Sequence, residues 1–324
     1  MRAVYLDLLE GQGTTRVSSK KGDSTERFGA LLELSDPLAR VSRSVRRARI
    51  FSALGELFWY LSGSNKVDHI EHYIKGYREF SDDGLTANGA YGPRIFGSNG
   101  DVSEWDRVMD LLGRKERQGS RNAVIQVLCN EDLTKETKDR PCTTTLQFVV
   151  RERRLNLHIH MRSNDAYLGL PHDIFSFTMF LEIAARQLDL EVGSYFHSVG
   201  SLHLYDDKDE AGDPKPTTNA RSYLGEQFMS IRPMPSMPEG DPWPWINKIV
   251  ALEKNYRAGG LDKTLDETAP AYWRDIDILL RCYSAMKSME GEDRIAFLDN
   301  ALDHLSETGY RLFILDRLAQ FEQE

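Results

Sequence analysis

The segments that decide the fold are RPC at 140–142, MRSNDAYLGLPHD at 161–173 and HLY at 203–205. Cys142 stands at the start of an apolar, strand-like run. A thiol is a nucleophile only as the thiolate, and a neighbouring arginine such as Arg140 or Arg162 lowers its pKa. A free cysteine is more often a small buried core residue, so Cys142 alone leaves both interpretations open.

The run at 161–173 also carries a candidate anion site. Arg162 and Ser163 place an arginine fork beside a hydroxyl, which suits a phosphate group. The alternative is a surface turn in which Arg162 pairs with Asp165. Asp173 follows Leu-Gly-Leu-Pro, where an acid can serve simply as a helix N-cap.

His203 and Tyr205 are two positions apart in a strand-like run, so their side chains share one face. Paired polar tips of this kind can bind a sugar hydroxyl. They can also be ordinary polar residues of the core, and the pair alone does not decide between these interpretations.

Composition narrows the class of protein. The chain has 324 residues, 40% hydrophobic residues and a net charge of −9, which is typical of a globular protein of one domain or one domain with an appendage. The negative charge argues against a nucleic-acid surface.

Three widely spaced cysteines predict neither a disulfide framework nor a metal site. The N-terminal residues lack a signal-peptide layout and no apolar run is long enough to span a bilayer, so we expect a cytoplasmic enzyme without a membrane partner.

Hydrophobic periodicity predicts a mixed α+β chain. The predicted strands are 3–9, part of 16–36, 123–128, 143–150, 155–161 and 191–204. The predicted helices are 44–62, 67–80, 102–118, 174–188, 245–256, 272–288 and 292–322, with a loop at 84–99 and a charged, proline-rich connector at 206–241. Two domains are expected: a catalytic domain at 1–235 and a helical C-terminal extension at 236–324.

In this order and spacing the motifs resemble the thymidylate synthase signature, which runs from Pro-Cys through Arg-Ser-x-Asp and Leu-Gly-x-Pro to His-x-Tyr. The run ELFWYLSG at 56–63 resembles the helix with the family's catalytic glutamate, AYG at 90–92 its Tyr-Gly element, and Ser120-Arg121 the Ser-Arg pair before a strand. The resemblance covers roughly 25–210. It implies a large twisted mixed sheet at a dimer interface.

The resemblance assigns catalytic roles. Cys142 would add to C6 of a pyrimidine nucleotide, so that C5 attacks the one-carbon unit of 5,10-methylenetetrahydrofolate. Glu56 would organise water and proton transfers, and Tyr91 would help to remove the C5 proton through water. Asp165 would help to hold the folate and the closed site, together with Gly169.

It also assigns the nucleotide contacts. Arg162 and Ser163 would hold the phosphate, and His203 and Tyr205 the sugar 3′-hydroxyl. Arg121 would come from a second subunit, which implies an obligate homodimer with shared sites.

The departures from the family pattern point to a cytosine nucleotide. Asp173 stands where thymidylate synthases have an asparagine that reads uracil, and a carboxylate accepts from the 4-amino group of cytosine. This resembles the dCMP or CMP hydroxymethylase branch, in which water captures the methylene. Tyr77, His172 and Met161 replace the usual tryptophan, phenylalanine and glutamine, so the pocket is remodelled, and Tyr77 would face the folate.

Two further departures concern the chain end and the phosphate. The short apolar C-terminal tail of thymidylate synthases, which excludes water, has no counterpart in FEQE at 321–324; its loss favours hydroxymethylation over hydride transfer. The N-terminal phosphate arginine has no clear counterpart either, and Lys20, Lys21 or Arg27 would replace it.

Three hypotheses remain: a dCMP or CMP 5-hydroxymethylase, a thymidylate synthase that methylates dUMP, and an inactive nucleotide- or RNA-binding relative. The retained catalytic residues argue against the third. Asp173 and the altered tail favour the first over the second. Ser163 matches the deoxynucleotide enzymes, which favours dCMP over CMP.

Overall fold

A six-stranded mixed sheet is the centre of the fold in a computed structural model that describes residues 1–19, 21–41, 43–44, 47–97, 102–117, 119–208, 215–226 and 233–321. The strand order is β1-β2-β8-β7-β6-β5. The pair β7 and β8 is parallel and every other neighbouring pair is antiparallel. The strands are β1 (Thr15–Ser19), β2 (Gly22–Leu34), β5 (Val124–Gln126), β6 (Thr143–Arg151), β7 (Arg154–Asp165) and β8 (Glu191–Tyr205), and a small separate hairpin is formed by β3 (Arg43–Ser44) and β4 (Arg47–Ala48).

The helices lie on the sheet and beyond it. They are α1 (Arg2–Glu10), α2 (Ile50–Leu61), α3 (Val67–Tyr73), α4 (Tyr91–Phe96), α5 (Glu104–Gly113), α6 (Asn130–Thr134), α7 (Leu170–Gln187), α8 (Pro216–Gly225), α9 (Trp243–Arg257), α10 (Ala271–Ser288), α11 (Gly291–His304) and α12 (Thr308–Phe321). The predicted α+β class is confirmed.

The unit β7–α7–β8 determines where the site forms. A parallel strand pair needs a crossover, and α7 supplies it. One side of α7 packs on β7 and β8 and another on α2, which explains why α7 is apolar nearly all round, with Phe175, Phe177 and Phe180 buried. The polar residues at its N-terminus therefore lie over the ends of both strands.

The C-terminal helices are anchored on α2. Both α9 and α10 pack against it, and their buried residues, such as Ile249 and Leu279, belong to the same apolar cluster as Leu57. The domain boundary at residue 235 stays a prediction.

Several predicted elements are wrong in detail. The expected strand at 3–9 is helix α1, because Val4, Tyr5 and Leu8 bury one helical face, and so short a run fits both periods. The helix expected at 67–80 ends at Tyr73; Gly76, at φ 88°, precedes a separate 3₁₀ turn at Tyr77–Phe80. The loop at 84–99 contains α4.

The helix expected at 44–62 begins only at Ile50, because the chain before it forms the hairpin of β3 and β4. Further corrections lie in the C-terminal half. The helix expected at 292–322 is two helices, because the backbone N–H groups of Ser306 and Glu307 donate to the carboxylate of Asp275 at 2.8 and 2.9 Å and so end the first helix. The connector at 206–241 contains α8. Its parts at 209–214 and 227–232, Lys20 and the terminal residues 322–324 lie outside the described residues. Within the described parts of the chain, no helix is both long and apolar enough to cross a membrane.

Candidate active site

One cavity of about 390 Å³ collects most of the predicted site residues. It lies where α2, the ends of β7 and β8, the N-terminus of α7 and the segment before β6 meet. The predicted residues that line it are Glu56, Tyr77, Tyr91, Cys142, Ser163, Asp165, Gly169, Asp173, His203 and Tyr205. Arg121 is exposed and lies outside the cavity, just before β5. Arg162 does not line the cavity, but its guanidinium lies against Cys142, which does.

Cys142 lies directly before β6, under the guanidinium of Arg162. Arg162 Nη2 is 3.7 Å from Cys142 Sγ, while its Nε donates to the carbonyl of Pro141 at 3.0 Å. Burial raises the pKa of the Cys142 thiol, and the positive charges of Arg162 and Lys21 only partly oppose this shift. The expectation of a lowered thiol pKa is therefore wrong for the free protein.

Arg140 does not share this task with Arg162. Its guanidinium donates to the carbonyls of Asp132 and Lys135 at 2.9 and 2.5 Å. Its donors are thus engaged by the last part of α6 and by the residue that follows this helix, and Arg162 is the arginine whose guanidinium lies against the thiol.

Glu56 projects from the middle of α2 into the cavity, so the alternative of a solvated helical glutamate is wrong. Burial raises its pKa to about 8; the negative charge of Asp173 adds to the shift, and a hydrogen bond with Tyr60 opposes it. A carboxyl group with such a pKa can hold and release a proton near neutral pH, which suits general acid–base work.

Asp173 is the fourth residue of α7 and not its cap, because the N-cap position is Gly169. The plain N-cap interpretation is therefore wrong. Asp173 Oδ2 accepts a hydrogen bond from Asn164 Nδ2 at 2.5 Å. Burial raises the pKa of Asp173 to about 7, although the bond from Asn164 lowers it.

Tyr91 begins α4 and faces the same space. Its hydroxyl accepts from the backbone N–H of Thr143 at 3.2 Å, one residue after the cysteine, and its ring stacks on Tyr60 with centroids 5.1 Å apart. Tyr77 lines another wall, edge-on to Trp59 at 5.4 Å. These aromatic rings give the cavity a rigid apolar side.

Asp165 and Gly169 shape the turn between β7 and α7. Asp165 Oδ1 accepts from the backbone N–H groups of Tyr167 and Leu168 at 2.7 and 3.1 Å. The guanidinium of Arg162 donates instead to the carbonyls of Pro141 and Arg140, so the alternative of a surface pair between Arg162 and Asp165 is wrong. A Cβ on Gly169 would lie 3.5 Å from both Asn164 Nδ2 and Asp173 Oδ2, so this glycine borders the pair that they form.

His203 and Tyr205 line the cavity from the end of β8, on one face as predicted. Their rings meet edge to face with centroids 4.8 Å apart. Ser163 reaches the cavity from β7, where it pairs with Ser201. The role of each in nucleotide binding stays a prediction.

Asp139 and Asn164 were not predicted from the sequence to have a role, yet both line the cavity. Asp139 accepts from the backbone N–H of Gly89 at 3.0 Å, and burial raises its pKa. Asn164 is the unspecified position of Arg-Ser-x-Asp. Their nearness to the motifs is the sequence feature that could have indicated them. Asp139 is three residues before Cys142, and Asn164 is one residue before Asp165.

The structure separates the candidates for the missing phosphate arginine. Arg27 is bound to the carboxylate of Asp7, at 2.8 and 2.5 Å, and is not available to a ligand in the cavity. Lys21 lines the cavity. Across the described residues, no group of three His, Cys, Asp or Glu side chains is placed to hold a metal ion.

Comparison with known proteins gives the family of the chain. The profile of the thymidylate synthase family matches residues 33–221. The chain is 31% identical to a deoxyuridylate hydroxymethyltransferase of Bacillus phage SP01 over 186 residues, which are 54% of this chain and 49% of the phage protein, so the chain spans about half the length of that relative. It is 25% identical to a thymidylate synthase of Baumannia cicadellinicola over 211 residues, 62% of this chain and 78% of that enzyme. The predicted resemblance is confirmed, and the chain belongs to the thymidylate synthase family.

Proposed function

We propose that the protein is a folate-dependent one-carbon transferase that converts dCMP, or CMP, to its 5-hydroxymethyl derivative. The observation that carries the proposal is the placement of Asp173 in one cavity with Cys142 and Glu56. An ionised Asp173 accepts from the 4-amino group of cytosine, while Cys142 and Glu56 supply a nucleophile and a proton carrier.

Cys142 Sγ adds to C6 of the pyrimidine, which makes C5 nucleophilic and divides a difficult substitution into easier steps. Because burial raises the pKa of this thiol, it must lose a proton as substrate binds. Arg162, 3.7 Å away, then stabilises the thiolate. Glu56 and Tyr91 lie on the cavity wall where they can relay protons to and from the base.

The residues present fit a folate. Ile74, Tyr77 and Phe80 form an apolar wall beside Trp59, which suits a flat heteroaromatic ring. Asp165 and Gly169 border this space from the turn before α7. When bound, 5,10-methylenetetrahydrofolate supplies a one-carbon unit at the formaldehyde oxidation level, and water completes the hydroxymethyl group.

Lys21 is the residue we assign to the nucleotide phosphate in place of the missing arginine. It lies in the turn between β1 and β2, and its Nζ is 5.1 Å from the centre of the Phe80 ring. Ser163 and Arg162 lie on β7. A lysine binds phosphate as a point charge without a bidentate fork, so the site depends on fewer fixed contacts than an arginine cluster.

We further propose a homodimer that pairs through the sheet. One face carries two exposed residues, Leu31 on β2 and His160 on β7, which flank half-buried Ser198 on β8 at matched register positions. Two large apolar residues of β2, Phe28 and Leu31, are 82% and 64% exposed, and an interface covers apolar surface of this kind. Arg121 would reach the partner's cavity. Fully active protein that sediments as a monomer would contradict this role.

A second candidate is hydroxymethylation of dUMP. The relative in phage SP01 carries the name deoxyuridylate hydroxymethyltransferase, and Asp173, with a pKa near 7, can also be neutral and donate to a carbonyl oxygen. Methylation of dUMP and an inactive relative remain the other two candidates.

A mass-spectrometric product assay separates these candidates. The protein is incubated with 5,10-methylenetetrahydrofolate and, in turn, dCMP, CMP and dUMP, with Cys142→Ala as the control. We expect a gain of CH₂O on dCMP with tetrahydrofolate formed, and no product from Cys142→Ala, which should still bind the nucleotide.

Each of the other outcomes supports a different candidate function. A CH₂O gain on dUMP alone would select the second candidate. A CH₂ gain on dUMP, with dihydrofolate formed, would make it a thymidylate synthase. Turnover by Cys142→Ala would remove this cysteine as the nucleophile, and no product from any nucleotide would favour an inactive relative.

A further inference from the structure

Asn164 is a buried amide at the end of β7, 4% exposed, and it lines the cavity. Its Nδ2 donates to Asp173 Oδ2 at 2.5 Å and lies 3.2 Å from Met161 Sδ. Its Oδ1 is buried without a hydrogen-bond partner among the described residues. A buried acceptor without a partner loses the hydration it has in the unfolded chain and gains no bond in return, so something else must favour an amide at this position.

The contact with Asp173 fixes which way the amide faces. A carboxylate only accepts hydrogen bonds, so the NH₂ side of Asn164 must point to an ionised Asp173, because the reverse orientation would bring two acceptors together. The bond occupies Oδ2 of Asp173. Oδ1 is then the carboxylate oxygen that remains for a ligand.

The surroundings make this one bond decisive for the charge of Asp173. Asp173 shares the cavity with acidic or neutral groups, which are Glu56, Tyr60, Tyr77, Tyr91 and Cys142, and with the cations Lys21 and Arg49. Burial raises the pKa of Asp173, and the hydrogen bond from Asn164 is the interaction that lowers it. A carboxyl group balanced near neutral pH changes its charge when one such donor is removed.

We propose that Asn164 is a positioning residue that sets base specificity: by donating to Asp173 Oδ2 it keeps the carboxylate ionised and leaves Oδ1 to accept from the 4-amino group of a cytosine nucleotide. Without this donor, Asp173 takes a proton and presents a donor, which matches the 4-carbonyl group of uracil. The inference rests on the proposed function and adds to it a second residue that selects the base.

The test compares Asn164→Leu and the same-sized Asn164→Asp with a matched control, Asn156→Leu. Asn156 lies on the same strand, and its amide donates to the carbonyl of Val149 at 3.2 Å and accepts from the N–H of Ser194 at 2.8 Å. Three quantities are measured for each variant: kcat/KM for dCMP and for dUMP, the pH profile for dCMP, and the Kd of both nucleotides.

We expect both Asn164 variants to lower the dCMP-to-dUMP ratio by about tenfold or more, the effect of one lost charge-assisted bond. The rise of dCMP activity with pH should move to higher pH, because the bond from Asn164 lowers the pKa of Asp173. The control should change neither the ratio nor the profile. In Asn164→Asp the new carboxyl group and that of Asp173 would share one proton, because two like charges at this distance cannot both ionise. This variant therefore tests the role of the Asn164 donor even if Asn164→Leu does not fold.

An equal fall for both nucleotides, with an unchanged pH profile, would overturn the proposal and leave Asn164 a purely structural residue. A failure of the proposed function itself would give a different result from a failure of this inference. If the natural protein makes no hydroxymethyl product, the ratio of Kd values still reads base selection: a ratio that falls in both Asn164 variants supports the inference, and an unchanged ratio rejects it.

Discussion

Glu56, half-buried in the cavity wall, and Glu253, fully buried, lie on helices that pack against each other, α2 and α9, but their surroundings differ. Glu253 Oε1 accepts from the hydroxyl of Tyr73 at 2.9 Å and from Arg257 Nε at 2.6 Å, and His69 Nε2 lies 3.3 Å from its Oε2. Burial raises the pKa of Glu253, yet these partners outweigh it and the pKa is lowered. The pKa of Glu56 is raised to about 8.

The difference separates a buried acid that supports the fold from one that is prepared for chemistry. Glu253 lies beyond the residues that match the family profile, and its donors stabilise the charged form. Glu56 has Tyr60 as its hydrogen-bond partner and a like charge, Asp173, nearby. A perturbed acid in a cavity is a candidate for catalysis, whereas a buried acid whose charged form is stabilised by a tyrosine hydroxyl and an arginine connects two helices.

The largest expected contrast comes from removing each charge. Glu56→Gln should lower kcat by about 10²–10⁴-fold, the usual contribution of general acid–base catalysis, without lowering the free energy of unfolding. Glu253→Gln should lower the free energy of unfolding by about 2–4 kcal/mol, because Arg257 would lose its charged partner, and should leave kcat nearly unchanged. Steady-state kinetics and urea unfolding measure the two effects.

The distinction between a structural and a catalytic glutamate would be wrong if Glu253→Gln, at a temperature where it is fully folded, lost as much activity as Glu56→Gln. Glu253 would then act on the chemistry through α2. Substitution of exposed Glu292 on α11 by glutamine serves as the control, and it should change neither quantity.

A smaller effect of opposite sign is expected when stability is followed against pH. The folded pKa of Glu56, about 8, lies above its ordinary value of 4.5, so between these values the native state holds a proton that the unfolded chain has lost. The contribution of Glu56 to stability therefore falls as pH rises through this window. Glu56→Gln should gain stability relative to the natural protein from about pH 5 to about pH 8.

Glu253 should show the reverse. Its lowered folded pKa gives a contribution that is present above the unfolded value and is lost as the pH falls through the folded one. The deficit of Glu253→Gln should therefore shrink in acid. Chemical unfolding from acid to about pH 8 measures the free energy of unfolding of both variants. If the two free energies changed with pH in the same way, the two glutamates would not differ as described.

The sequence predicted the part of the fold where one periodicity prevails. Strand β7 alternates over most of its length and α7 is apolar over a long run, so β6, β7, α7 and β8 were predicted in the right order and to within about four residues of their ends. The failures were short or interrupted segments. In α1 seven residues fit both periods, and at 305–307 the break is caused by Asp275, which lies 30 residues earlier in the chain.

The candidate site was predictable where local motifs carry it. Cys142, Asp165 and His203 come together because β6, β7 and β8 are neighbours in one sheet. Lys21 reaches the cavity from a turn more than a hundred residues before Cys142, a contact that only the tertiary fold sets. The pairing of Asn164 with Asp173 depends on how the first turn of α7 lies against β7, and no spacing rule gives it.

The smallest expected effect concerns Tyr73, which connects the two glutamates. Its ring lies against Gly55, where a Cβ would come within 2.1 Å of it, and its hydroxyl donates to Glu253. Tyr73→Phe keeps the ring and removes the hydroxyl, so we expect a loss of about 1 kcal/mol in the free energy of unfolding, the usual net value of one hydrogen bond. Because the packing on α2 is kept, kcat and its pH profile should not change.

Tyr283→Phe is the matched control for this substitution. The Tyr283 ring stacks on Tyr73 with centroids 4.9 Å apart, and its hydroxyl donates to the backbone carbonyls of His72 and Tyr73, each at 3.2 Å. It should lose a similar amount of stability. If Tyr73→Phe alone shifted the pH profile of kcat, the Glu253 hydrogen bond would tune Glu56 through Gly55, and the division between a structural and a catalytic glutamate would have to be given up.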